Sequence, residues 1–161
     1  MTEVKQMETK KLNLAALKNE VSRFGYNDTK KVLLGEGYHL HVHPNFSDSR
    51  LDKAVLAYFK DIDDAHKAKI SLASEGNGSA VMFLELIFEF TDITKVKDFK
   101  KKLEVMSLLH DTGYFAKIIA EFSKESIDKT TNKVNALAKE ITRLGGLAKK
   151  QQEEFLKTLN K

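Results

Sequence analysis

Apolar residues return every three or four positions over most of this chain, the period of an α-helix that turns one face inward. Leu51, Val55, Tyr58, Phe59 and Ile62 follow it, as do Val96, Phe99, Leu103, Met106 and Leu109, and then Ile127, Val134, Leu137, Ile141 and Leu144. A chain patterned this way buries its apolar surface by packing helix on helix. The punctuation agrees. Ser47 or Asp48 is placed to cap the first of these helices and Ser123 the last, with Glu125 near the positive end of its dipole. Gly113 suits the left-handed residue that closes a helix, and Gly145-Gly146 reads as a stop. Tyr114, Phe115, Ile118, Ile119 and Phe122 make a short, very apolar helix between them. Leu12, Leu14, Leu17, Val21 and Phe24 predict a helix before Gly25, and Leu147, Phe155 and Leu159 a final helix or tail.

Two segments depart from this period. Tyr38 to His43 alternates strictly, with Leu40 and Val42 on one face and His39, His41 and His43 on the other. That is a half-buried strand ended by Pro44, the only proline, which cannot donate to a sheet ladder. Extended-type residues Val32 to Leu34 and the turn Gly35-Glu36-Gly37 make it the second arm of a β-hairpin over about residues 31–43. Ala80 to Phe90 fits either geometry. As a strand it lines Met82, Leu84, Leu86, Phe88 and Phe90 on one face; as a helix it sets Glu85 and Glu89 one turn apart on a buried rod. The helix is preferred, because Ser79 can cap it and the segment is long enough. The expected fold is mainly α: one compact domain over residues 12–144, of about six helices and one small hairpin. Residues 1–11 form a flexible arm, residues 75–79 a loop, and residues 147–161 a tail or helix.

The 161 residues contain no cysteine, which removes disulfides, thiolate chemistry and cysteine-based zinc sites together. The longest apolar run is broken by Glu85 and Glu89, too short and too charged to span a bilayer, and the first residues have no signal-peptide core. A soluble protein of the cell interior is expected. The net charge is +4, but acids are interspersed with lysines and only Arg23, Arg50 and Arg143 are arginine. Nucleic-acid binding normally needs a concentrated basic patch. A small basic nucleic-acid-binding helical protein is therefore the alternative reading, not the leading one.

No reactive centre is legible. His39, His41 and His43 share a strand face and could offer nitrogens to a transition metal, which makes a metal-binding protein a further alternative. Such a site also needs a ligand from elsewhere in the fold, so the reading taken is a polar strand face with no metal and no cofactor. Asp61, Asp63 and Asp64 beside His66 resemble acid/base groups but lack a nucleophile, and they read as a solvated helix end. His66 and His110 read as surface residues. Gly35-x-Gly37 and Gly76-x-Gly78 lack the spacing and the lysine of a phosphate loop. The chain is expected not to be an enzyme. Its phenylalanines exceed what a small helical core need hide, so Phe83, Phe88, Phe90, Phe99, Tyr114, Phe115 and Phe122 are candidates for contact with another chain.

FLELIFEFTDI (residues 83–93), a helix ending Leu-Leu-His-Asp, and GYFAKIIAEFSKESIDKTTNKV (residues 113–134) together resemble the tail assembly chaperones of long-tailed, siphovirus-type bacteriophages. The likeness spans about two-thirds of the chain and consists of hydrophobic types and spacings, without a catalytic motif; the N-terminal arm and the histidine strand lie outside it. It implies a non-enzymatic protein in the host cell cytoplasm that binds the tape-measure protein, helps recruit tail-tube subunits, and assembles as a homo-oligomer. It also implies a longer frameshifted form, for which Ala148-Lys149-Lys150 could encode the slippery run.

Overall fold

The computed structural model describes residues 10–72 and 77–159, in the order α1 (Leu14–Ser22), β1 (Lys30–Gly35), β2 (Tyr38–Val42), α2 (Asp48–Lys67), α3 (Asn77–Phe90), α4 (Phe99–Asp111), α5 (Tyr114–Ile119) and α6 (Lys124–Leu159). The mainly α architecture with one hairpin near the N-terminus is the one the periodicity calls for. Most of the N-terminal arm and of the loop before α3 lies outside the described residues.

The hairpin is antiparallel, with Val32 opposite Leu40 and Lys30 opposite Val42, and its register shifts between Leu33 and Gly35. Glu36 and Gly37 both take positive φ, which the tight reversal demands. Strand alternation buries Val32, Leu34, Leu40 and Val42 and turns His39 and His41 toward the other face. The sheet does not end at β2. Val42 bridges Thr91 just past α3, the His43 amide donates to the Phe90 carbonyl at 2.8 Å, and the Asp92 amide donates to the His41 carbonyl at 3.2 Å.

The ambiguous apolar stretch is the helix α3, and it stands at the centre. Val81, Leu84, Glu85, Leu86, Ile87 and Phe90 are each essentially inaccessible to solvent. Its flanks are covered by α2, α4 and α5, with α2 the broadest partner. Phe90 stacks on Phe46 with ring centroids 3.8 Å apart, and Phe122 meets Phe46 edge-on at 4.9 Å. This is why the aromatic contact surface expected from the sequence is not where it was sought. Phe88, Phe90, Phe99, Phe115 and Phe122 are core residues, and Phe83 and Tyr114 are half-buried against them. A helix enclosed on every side uses its large rings as filling, not as display.

Several boundaries differ from expectation. Helix α3 begins at Asn77, so Ser79 lies in its first turn and does not cap it. Ser47 holds the N-cap position of α2 through its backbone alone, without a side-chain bond. Ile62 is more exposed than its phase suggests, and α5 closes at Ile119 before reaching Phe122. The largest difference is in α6, which continues through Gly145-Gly146 to Leu159. A glycine inside a helix costs only about 1 kcal/mol relative to alanine, and the long flanks of good helix formers absorb that.

Candidate interaction surface

Two helical faces at opposite ends of the chain carry large apolar residues that the described residues leave about half exposed or more. The first is α1. Asn13 accepts a hydrogen bond from the Ala16 amide at 2.9 Å and starts the helix. Gly25, at φ +65°, ends the segment, where a Cβ would lie 2.7 Å from an Asp28 oxygen. Between them Leu14, Leu17 and Val21 recur at helical spacing on a helix with no buried residue, and Phe24 follows. Their exposures are 68 %, 47 %, 48 % and 57 %.

The second is the outer half of α6. Its root is firmly held. Ser123 caps the helix by accepting from the Ser126 amide at 3.1 Å, and its own amide donates to the Pro44 carbonyl at 3.0 Å. The buried Ser126 hydroxyl accepts from the Phe46 amide at 2.9 Å and donates to the Pro44 carbonyl at 3.0 Å. Lys129 and Lys133 reach back to Asp48 and Asp52, at 3.5 and 2.8 Å, so these basic groups are already paired. Ile127, Thr130 and Val134 face Tyr58, Met82 and Phe83 across a small cavity of about 170 Å³. Leu137 shares an open groove with Val55 and Leu56. Beyond it Ile141, Leu144, Leu147 and Leu156 are all about half exposed. Covering the exposed half of side chains of this size contributes about 1 kcal/mol each, so both faces reward a partner.

The candidate metal ligands do not converge. The His39 and His41 rings meet edge-on, and His41 Nδ1 lies 2.9 Å from Asp92, whose other carboxylate oxygen accepts the His41 amide. That amide holds the Asp92 carboxyl below its ordinary range. His43 turns inward, and burial followed by the nearby Arg50 charge lowers its pKa. Among the described residues, no group of three or more His, Asp or Glu side chains is placed to hold a metal ion. No helix among them is long and apolar enough to cross a membrane.

The acidic run near His66 separates as well. Asp63 pairs with Lys67 at 2.7 Å on the exposed face of α2, and Asp64 with Lys60 at 3.5 Å. Asp61 is not solvated. It lies 1 % exposed beside Glu85 and Lys102, whose ammonium donates to Asp61 at 2.8 Å and to Glu85 at 2.6 Å. Burial, reinforced by the neighbouring Asp61 and opposed by Lys102, pushes the Glu85 carboxyl up to about 7. For Lys102, burial works downward, but its bonds to both carboxylates prevail and hold it above the usual lysine value. The triad ties α2, α3 and α4 together. Sequence reading missed it, although each member stands at an inward-facing position of its own helix, Lys102 in phase with Phe99, Met106 and Leu109.

A family model covers residues 14–161, the whole of the surface just described, and it is that of YomO. The chain belongs to the YomO family. It is 33 % identical over 133 residues to the SPbeta prophage-derived protein YomO of Bacillus subtilis (strain 168), an alignment spanning 83 % of this chain and 78 % of that protein. No solved structure matches the chain. The kinship is therefore with a prophage-derived protein, and the aligned span takes in most of the fold.

Proposed function

We propose that this is a non-enzymatic bacteriophage protein that acts by binding other polypeptides, and more specifically a tail assembly chaperone that covers the tape-measure protein and helps gather tail-tube subunits. The observation that carries the reading is the pair of uncovered apolar helical faces, Leu14, Leu17, Val21 and Phe24 on α1 and Ile141 and Leu144 on α6. The prophage-derived relative supports the phage setting. A long amphipathic protein aggregates unless its apolar stripes are sheltered before assembly. Helices that offer leucine, isoleucine and phenylalanine to solvent can lie against such stripes in the helix-in-groove manner. The seven aromatic residues singled out in the sequence serve this purpose only indirectly, by stiffening the body from which the two faces project.

The test is co-purification of the full chain with the tape-measure and tail-tube proteins of its own phage. Capture of either is the expected result. Leu17→Glu with Val21→Glu is expected to weaken that capture about tenfold, equivalent to roughly 1.4 kcal/mol of binding free energy. Failure to retain either protein at micromolar concentration would remove the reading.

A further inference from the structure

The triad of Asp61 on α2, Glu85 on α3 and Lys102 on α4 is closed off from solvent inside an apolar core. The Lys102 ammonium donates to Oδ1 of Asp61 and to Oε1 of Glu85. The other two oxygens, Oδ2 of Asp61 and Oε2 of Glu85, are buried and meet no donor among the described residues. The two carboxyl groups lie within hydrogen-bonding reach of each other. One ammonium balances one carboxylate, so with both acids ionised the site would hold an uncompensated negative charge away from water. Among the described residues no other cation is placed to neutralise it. On α2, Lys60 pairs with Asp64 and Lys67 with Asp63, and burial raises the Tyr58 phenol, which stays neutral. Glu89, one turn further along α3, is paired with Arg50. The remaining charged side chains of α4 are exposed. Helix α5 turns Phe115 and Ile118 inward, and its Lys117 donates to the Leu34 carbonyl.

We propose that Asp61 and Glu85 share one proton, which locks the crossing of α2, α3 and α4 as a neutral unit, and that losing this proton lets α4 loosen from α3. A proton between the carboxyls gives both orphaned acids a hydrogen bond at once and leaves one ammonium, one carboxylate and one carboxylic acid. Two acids confined to one site cannot both ionise without a large penalty, so the proton belongs to the pair. Lys102 is not the group that yields, because its bonds to both carboxylates hold it above the usual lysine value. Burial and Asp61 place the loss of the Glu85 proton at about 7. Helix α4 is the element that gives. Among the described residues, Lys102 makes the only side-chain hydrogen bonds that α4 offers to another element, whereas α2 and α3 lie broadly against each other. A small outward shift of α4 admits water to the two carboxylates and relieves their repulsion. The lock is independent of what the apolar faces of α1 and α6 bind.

NMR of the side-chain carboxyl carbons in the full chain, titrated from about pH 5 to about pH 9, tests the sharing. The expected result is one step near neutrality that moves the Glu85 and Asp61 signals together. In Asp61→Asn the ionised Glu85 has Lys102 to itself, and its step is expected at least one pH unit lower. Hydrogen exchange tests the loosening. Between about pH 6 and about pH 8.5, after correction for the chemical exchange rate, protection of the α4 amides is expected to fall about tenfold more than that of the α6 root. Asp61→Asn is expected to abolish that excess. Absence of a carboxyl step near neutrality, a Glu85 step with the Asp61 signal unmoved, a Glu85 midpoint unchanged in Asp61→Asn, or equal losses of protection in α4 and α6 would each overturn the proposal.

Discussion

At the scale of single residues, the buried Lys102, Asp61 and Glu85 are the most consequential group in the molecule. Removing one partner of a buried ion pair strands the others, at a cost of about 3–5 kcal/mol. Lys102→Met is expected to lower the urea midpoint accordingly, and to lower it less as the pH falls, because a proton on Glu85 relieves the stranded charge. The native protein has its own pH signature. Glu85 is raised from 4.5 to about 7, so the folded chain holds that proton more tightly than the unfolded one. Its contribution to stability is complete below 4.5 and is lost as the pH rises through about 7. His43, with its value lowered below 6.5, acts in the opposite sense: its contribution is present above 6.5 and declines as the pH falls through its lowered value. Comparing urea midpoints of the native chain and Glu85→Gln across this window separates the two. The variant is expected to lose the decline between 4.5 and about 7 and keep the acid-side decline; identical profiles would contradict the assignment. None of this was legible from Asp61 in sequence, where it sits among Asp63 and Asp64 and reads as solvated. Only the crossing of three helices, information absent from any one of them, makes it a core residue.

At the scale of elements, periodicity located the helices far better than it located their exposure. The alternation of His39, His41 and His43 specified β2, and the three- and four-residue spacing specified α2, α4 and the root of α6. The aromatic residues were harder to place, because a phenylalanine reads the same whether it fills a core or faces a partner. Phe88 and Phe90 proved to be inside, while Leu14 and Leu17, on a helix too short to look important, proved to be outside. Gly145-Gly146 misled for a different reason: glycine weakens a helix without ending it unless the backbone turns left-handed. Gly145→Ala with Gly146→Ala is therefore expected to raise the helicity of the outer segment by removing about 1 kcal/mol of helix penalty per site, measurable by circular dichroism. At the other end of the same helix, Ser123→Ala removes the cap and is expected to cost about 1 kcal/mol in a urea melt.

For the whole molecule, the body closes its core without help from the last helical stretch. Truncation after residue 138 is expected to leave the thermal midpoint of the body within a few degrees of the full chain, as calorimetry would show, because no described residue beyond Leu137 belongs to the buried core or packs against it as a partly buried hydrophobic residue. A large drop would mean that the outer helix supports the fold itself. What the family relationship adds is continuity: the matched region runs from the start of α1 through the end of the chain and so takes in both uncovered faces.

The clamp of Ser126 onto Pro44 and Phe46 acts at the base of a long lever. At 1.5 Å per residue, about 50 Å of helix extends past Ser126, so a tilt of about 5° there swings the tip by about 4 Å. Aim at the far end is thus decided by two serines and a loop packed against the Phe46–Phe90 stack, a fulcrum that no partner needs to touch.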